Sequence, residues 1–207
     1  MTHRERFVRL FQGKPVDRVP FIDAMGVCNY RSCIERWKTE GLEANATQKD
    51  VQDIIGFDYA RGYFIYAKLL FYPEFETVLL KREGDRTYTR NRWGGTELQQ
   101  DGSELMPITL EGGVDIVFPW ETQFGLDIKK VRQEYPAMGM MGGLNKHVLE
   151  FSREEMDKEL EKVPYMLERG YYIPCLDHGV TNEVSWDNYR YFYEKLKEMI
   201  YKYPPQI

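Results

Sequence analysis

The chain has 207 residues, with 33 acidic residues against 28 lysines and arginines, a net charge of −5 and 43% hydrophobic residues. This size and composition are typical of a globular protein with one large domain, or at most two small ones, and the acidic balance argues against a nucleic-acid partner. No apolar run is long enough to span a bilayer, and residues 1–6 lead into no apolar segment typical of a signal peptide. Three cysteines, Cys28, Cys33 and Cys175, are too few for a disulfide framework. We therefore expect a cytoplasmic protein with neither nucleic-acid nor membrane partners.

The N-terminal part of the chain contains alternating helix and strand patterns. Thr2 and Glu5 form a capping-box pattern, and the apolar spacing that follows predicts a helix ending near Gly13. The next predicted elements are a strand at 19–23, helices at 30–39 and 47–56, and a strand at 57–66.

The pattern changes at residue 75. Residues 77–80 and 86–89 flank a turn at 83–85, which predicts an antiparallel hairpin, and a third, polar strand follows Gly95. From Gly113 onward strands and helices alternate, which indicates a parallel sheet or barrel. The predicted elements there are strands at 114–118, 137–141 and 171–174, and helices at 126–135, 152–169 and 185–201.

Three motifs follow one another in a defined order. Residues 13–20 read GKPVDRVP, residues 141–145 read MGGLN, and residues 170–179 read GYYIPCLDHG. In this order they resemble the uroporphyrinogen decarboxylase superfamily, a barrel family that also contains the corrinoid-dependent methyltransferases. The regions that match are 1–106 and 113–205.

The resemblance implies a fold with a missing middle. Members of the family carry several βα units between the two matching regions, whereas only a junction at 107–112 separates them here. A closed barrel of this type needs eight strands, and about five are predicted. We therefore expect an α/β, TIM-barrel-derived fold that lacks interior strands, with a small β-hairpin excursion at 75–100. It forms one domain, 1–207, with an N-terminal barrel part at 1–106 and a C-terminal barrel part at 113–207.

Polar residues that follow predicted strands form the candidate site, because active sites of parallel barrels lie at the carboxyl ends of the strands. His178 matches the histidine of the family's GHG segment, which the resemblance places in the substrate cleft, where an imidazole can donate a hydrogen bond or move a proton. The alternative is a structural histidine that caps the following helix or bonds a backbone carbonyl. The candidate catalytic residues are His178, Asp177 and Glu121, and the candidate substrate-binding residues are Asn145, Tyr30 and Asp23.

The resemblance to the corrinoid-dependent methyltransferases also implies a metal. These relatives hold zinc through a His-x-Cys pair in the middle of the chain and a cysteine near this C-terminal loop, where Cys175 and His178 are the candidate ligands. No His-x-Cys sequence occurs in this chain. Zinc and a corrinoid are therefore expected for full-length relatives, and no cofactor is expected if the protein is decarboxylase-like.

Two departures from the family motif separate the functional hypotheses. True decarboxylases carry an RQAGRY segment after the first strand, and Met25 and Asn29 replace its arginines, which are suited to gripping carboxylates. The first hypothesis is a relative of the corrinoid-dependent methyltransferases that acts on a small acceptor, with a corrinoid protein as a partner. The alternatives are a uroporphyrinogen decarboxylase and a catalytically inactive barrel fragment. An opened barrel exposes unpaired strand edges, so we also expect a chain that is either homo-oligomeric or poorly cooperative in unfolding.

Overall fold

The structure, a computed structural model, describes residues 1–23, 31–58, 75–84, 86–91, 95–100, 116–122 and 125–206. The chain divides into two units, one formed by Met1–Arg61 with Asp115–Ile207 and the other by Gly62–Val114. The first unit contains the helices and a parallel sheet, and the second contains an antiparallel sheet. The assignment of 1–207 to a single domain stays a prediction.

Three helices form the N-terminal part of the first unit: α1 (His3–Phe11), α2 (Arg31–Thr39) and α3 (Gln48–Ile55). The predicted capping box begins α1, because the Thr2 hydroxyl accepts from the Glu5 N–H and the Glu5 side chain accepts from the Thr2 N–H. The sequence predictions for all three helices are confirmed to within two residues at each end.

The predicted strand at 19–23 is wrong, although Val19, Phe21 and Ile22 are buried as expected. The N–H of Phe21 donates to the Asp58 side chain at 2.9 Å, and the carbonyl of Phe21 accepts from the Asp58 N–H at 2.7 Å. Both backbone groups of Phe21 are therefore bonded to one residue rather than to a neighbouring strand. Most of the strand predicted at 57–66 lies outside the described residues.

The second unit contains the predicted hairpin and its third strand. Strands β1 (Val78–Glu83), β2 (Arg86–Arg90) and β3 (Thr96–Gln100) pair antiparallel in the order β1-β2-β3. The prediction of a small antiparallel excursion is confirmed for these residues.

The C-terminal part of the first unit alternates strands and helices. In chain order it contains β4 (Ile116–Trp120), α4 (Ile128–Glu134), β5 (Gly139–Leu144), a 3₁₀ helix (Lys146–Glu150), α5 (Arg153–Leu160), α6 (Val163–Glu168), β6 (Tyr172–Leu176) and α7 (Trp186–Lys202). The three strands are parallel, in the order β4-β5-β6. This is an α/β fold, and the described strands do not close into a barrel.

One long helix predicted at 152–169 is two helices, α5 and α6. Pro164 lies at the start of α6, where a missing backbone N–H costs nothing, whereas within a continuous helix it would break a hydrogen bond. The break therefore follows from the proline, which the apolar periodicity alone did not reveal.

Aromatic side chains of α7 form much of the core. Tyr189, Phe192 and Tyr193 are fully buried, and Tyr193 packs against Phe21 and Phe57 at ring-centroid distances of 6.1 and 4.8 Å. This packing joins the N-terminal segment to the last helix of the same unit.

Two findings bear on the expected compartment. Cys33 is disulfide-bonded, whereas Cys175 is a buried thiol outside any disulfide. Across the described ranges, no helix combines the length and the apolar character that crossing a membrane requires. The cytoplasmic location stays a prediction.

Candidate functional site

The carboxyl ends of β4, β5 and β6 form one edge of the parallel sheet. Trp120 at the end of β4 pairs with Gly142 in β5, and Leu144 at the end of β5 pairs with Leu176 at the end of β6. The residues that directly follow the strands therefore lie at the same edge. They are Glu121, Asn145 and the pair Asp177 and His178.

The side chain of Asp177 links the segments that follow all three strands. One carboxylate oxygen accepts from the N–H of Thr122 at 3.0 Å and from its hydroxyl at 3.2 Å, and the other accepts from the N–H of Lys146 at 3.0 Å. The Asp177 N–H donates to the Leu144 carbonyl at 2.8 Å, and the residue is 1% exposed. We call Asp177 with its partners Thr122 and Lys146 the Asp177 clamp. Both carboxylate oxygens of Asp177 are used in these hydrogen bonds. The side chain of this predicted catalytic residue therefore binds the backbone of the segments that follow β4 and β5.

The loop after β6, residues 177–185, is also fastened to α2. The Trp37 indole donates to the carbonyl of Val184 at 2.8 Å. Just beyond both elements, the carboxylate of Glu40, which follows α2, accepts from the N–H of Trp186, the first residue of α7, at 2.7 Å. The loop that carries His178 is therefore held from two sides, by the strand ends and by a helix.

His178 has a defined hydrogen bond at one ring nitrogen. Its Nδ1 accepts from the N–H of Gly179 at 2.9 Å. A backbone N–H can only donate, so Nδ1 carries no proton, and a neutral ring carries its proton on Nε2. The half-buried ring thus presents a hydrogen-bond donor.

Asn145 has a structural role at its oxygen. The side-chain oxygen accepts from the N–H of His147 at 3.0 Å and caps the 3₁₀ helix that follows β5. The Asn145 N–H donates to the Glu159 carboxylate of α5 at 2.7 Å. Glu121 is half-buried, and no hydrogen bond joins the side chains of Glu121, Asn145 and His178 among the described contacts.

Asp23 is bound by a buried tyrosine from α7. The Tyr189 hydroxyl donates to the Asp23 carboxylate at 2.9 Å. Burial, and then the nearby Asp23 charge, raise the pKa of Tyr189 well above its ordinary value, so its hydroxyl remains a donor. Tyr30, the remaining predicted substrate-binding residue, lies outside the described residues.

The proposed zinc ligands fit a metal poorly. Cys175 is fully buried within β6 and pairs with Gly143. Zinc at Nε2 of His178 would require the proton to move to Nδ1, where it would face the Gly179 N–H. Among the described residues, no group of three histidine, cysteine or acidic side chains is arranged to hold a metal ion. These contacts do not favour the predicted pair, and no catalytic step is derived through zinc.

Sequence reasoning missed several residues at this edge. Thr122 of the Asp177 clamp belongs to no motif that the sequence analysis used. Glu150 accepts from His147 Nδ1 at 3.1 Å and from the Thr181 hydroxyl at 3.0 Å. The spacing of His147 and Glu150 is visible in the sequence, but the contact with Thr181 joins segments 31 residues apart. The local pattern could not predict that link.

The described residues of α7 line a concave surface. An open groove of about 510 Å³ is lined by Glu194, Lys197, Glu198 and Tyr201 in the C-terminal half of α7. Among the described residues that line this groove, none is a predicted site residue and none belongs to the Asp177 clamp.

Comparison with known proteins gives one partial similarity. Over 75 residues the chain is 33% identical to the uroporphyrinogen decarboxylase of Hydrogenobaculum sp. (strain Y04AAS1). The match covers 36% of this chain and 22% of that enzyme, so the chain spans only a fraction of the length of this relative. No protein-family model matches the chain. The similarity supports a relationship to the uroporphyrinogen decarboxylase superfamily.

Proposed function

We propose that the edge formed by Glu121, Asn145 and His178 is the small-molecule site of a uroporphyrinogen decarboxylase-superfamily protein with a TIM-barrel-derived fold. The observation that carries this proposal is the Asp177 clamp, which joins the segments after β4, β5 and β6 through one buried carboxylate. Burying a charge without a cation is costly unless its hydrogen bonds are satisfied, and here backbone N–H groups satisfy them. An edge held in this way is suited to presenting side chains to a ligand.

The reaction we propose is methyl transfer to a small acceptor, as in the corrinoid-dependent methyltransferases. Support comes from Met25 and Asn29, which replace the carboxylate-gripping arginines of the decarboxylase segment, and from the net charge of −5. The corrinoid would supply the methyl group and would arrive on a partner protein. In this proposal His178 donates a hydrogen bond to the acceptor molecule, and Glu121 and Asn145 help to orient it.

Uroporphyrinogen decarboxylation is the second candidate. The observations that favour it are the name of the matched relative and the proton on Nε2 of His178, which suits a substrate carboxylate. It needs no cofactor. Against it stands the loss of both arginines, so we expect no measurable decarboxylation of uroporphyrinogen III.

One experiment separates these candidates. The purified chain is incubated with methylcobalamin and 2-mercaptoethanol, and separately with uroporphyrinogen III, and methylated thiol and coproporphyrinogen are measured. His178→Ala is the test variant, and His3→Gln, in α1, is the histidine control. Methyl transfer that His178→Ala abolishes and His3→Gln retains supports the proposal. Coproporphyrinogen above the level of the no-enzyme control supports uroporphyrinogen decarboxylation instead. If the folded chain forms neither product, the result favours the catalytically inactive fragment and overturns both proposed reactions. A monomer by light scattering that also unfolds in one sharp, two-state melt would overturn the expectation that the chain is either homo-oligomeric or poorly cooperative in unfolding.

A further inference from the structure

The two hydrogen-bonding arrangements at Asp177 and His178 together restrict what the site can bind. The three hydrogen bonds to the Asp177 side chain come from two backbone N–H groups and one hydroxyl, and its carboxylate oxygens act as acceptors in all of them. His178 accepts from the next N–H along the same loop. Among the described residues, neither arrangement includes a cationic side chain as a hydrogen-bond partner.

We propose that Asp177 is a positioning residue that fixes the loop after β6 and so holds His178 with its proton on Nε2. The ligand group at His178 is then a hydrogen-bond acceptor, such as a carboxylate, carbonyl or hydroxyl oxygen, and not a zinc ion. This inference rests on the proposed function only for the existence of a ligand. It assigns to Asp177 a role different from that of a residue in contact with substrate.

The argument for positioning is geometric. Asp177 directly precedes His178, and its side chain is tied to segments that follow two other strands. Its own N–H is tied to the end of β5 through the Leu144 carbonyl. With the backbone of Asp177 restrained at both the main chain and the side chain, the peptide that carries His178 and Gly179 has little freedom to rotate. The Gly179 N–H therefore stays within bonding distance of the ring.

The argument against zinc follows from the same hydrogen bond. A histidine that binds a metal through one nitrogen usually donates from its other nitrogen to a carboxylate, carbonyl or water. At His178 the other nitrogen, Nδ1, faces a donor instead of an acceptor. His147 provides the contrast, because its Nδ1 lies 3.1 Å from the Glu150 carboxylate and so carries a proton.

Ring nitrogen spectroscopy tests the first half of the proposal. The chain contains only three histidines, so ¹⁵N-histidine labelling gives few signals, and His3→Gln and His147→Gln assign them. At a pH where the imidazoles are neutral, we expect His178 to be protonated at Nε2 and His147 to be protonated at Nδ1. Protonation of His178 at Nδ1 would overturn the proposal. Zinc titration provides a second readout, for which wild type and His178→Ala should be indistinguishable. Weaker zinc binding by His178→Ala would also overturn it.

Amide hydrogen exchange tests the second half. In Asp177→Asn, one oxygen becomes an NH₂ group that faces a donor, so the amides of Thr122 or Lys146 lose an acceptor. We expect exchange at those amides to accelerate by about tenfold or more, and exchange at Gly179 to accelerate with them. Thr122→Val removes only the hydroxyl contact and serves as the milder variant if Asp177→Asn does not fold. Acceleration at the clamp with unchanged exchange at Gly179 would show that Asp177 does not position His178. These measurements use the ligand-free chain, so their failure is distinct from the absence of any catalytic activity.

Discussion

Arg18 and Asp58 form a two-pronged ion pair across 40 residues of sequence, with guanidinium-to-carboxylate distances of 2.6 and 2.7 Å. The same Asp58 carboxylate accepts from the N–H of Phe21, and Arg6 lies 3.5 Å away. Asp17, the residue before Arg18, forms its own paired hydrogen bonds with Arg6, each at 2.8 Å. The Asp-Arg turn of the opening motif is therefore explained by two ion pairs that fasten α1 to the segment after α3.

Asp58→Asn is expected to destabilise the protein strongly. The carboxylate is nearly inaccessible, and the substitution leaves the largely buried guanidinium of Arg18 without its anion, whereas Arg6 keeps the Asp17 carboxylate. Breaking a buried pair in this way costs about 3 kcal/mol in the free energy of unfolding. Asp17→Asn, at a side chain that is 48% exposed, is the control and should cost much less. Urea unfolding measures both. Equal losses for the two variants would contradict a special role for the buried pair.

The same carboxylates predict how stability changes with pH. Hydrogen bonding to Arg6 lowers the pKa of Asp17, and although burial alone would raise the pKa of Asp58, its bonds to Arg18 and Phe21 lower it. A lowered folded-state pKa contributes stability that is present above the ordinary value of 3.8 and is lost as the pH falls below it. We therefore expect the stability difference between wild type and Asp17→Asn to shrink below about pH 5. Urea midpoints measured at neutral and acid pH test this, and a difference that grows on acidification would refute it.

Local patterns predicted most helices and the alternation of strands and helices in the C-terminal part, because capping boxes and apolar spacing act within a few residues. Asp177 shows where such reasoning ends. The sequence placed it after a strand, and that position suggested chemistry. Its actual partners, Thr122 and Lys146, come from other segments and bond through backbone N–H groups that no side-chain pattern reveals. The strand predicted at 19–23 failed for the same reason, since the distant Asp58 takes both backbone groups of Phe21.

Gly142→Ala is expected to distort the strand-end edge. Gly142 has φ 105°, and a Cβ there would lie 2.8 Å from the backbone nitrogen of Trp120, which cannot move without shifting β4. Gly41 is a matched control, because its φ is 108° but an added Cβ meets no atom within 4 Å. Gly41→Ala should lower the free energy of unfolding only by the strain of placing an alanine at positive φ, about 1–2 kcal/mol. Gly142→Ala should lower the free energy of unfolding by more than this, as measured by thermal unfolding. It should also accelerate amide hydrogen exchange at Thr122. Equal costs at the two positions would show that β4 accommodates the methyl group.

Tyr189→Phe is expected to weaken the structure through Asp23. The Tyr189 hydroxyl is buried and donates to that carboxylate at 2.9 Å, and a hydrogen bond to a charged group contributes about 1.5–3 kcal/mol. Tyr191, on the same helix, donates to Asp157 at 2.8 Å but in an exposed position, so Tyr191→Phe should change stability by less than about 0.5 kcal/mol.

A double-mutant cycle isolates the contact itself. Tyr189→Phe is measured in wild type and in Asp23→Asn, and the coupling energy from urea unfolding is compared with that of the pair Tyr191 and Asp157. We expect coupling at the Asp23 pair to exceed coupling at the surface pair by about 1 kcal/mol, because burial removes competing water from the first contact only. Asp23 would then be a carboxylate held in place by the core, which a substrate-binding residue requires. Similar coupling for both pairs would mean that Asp23 is not held by Tyr189, and the assignment of Asp23 to the site would lose its structural support.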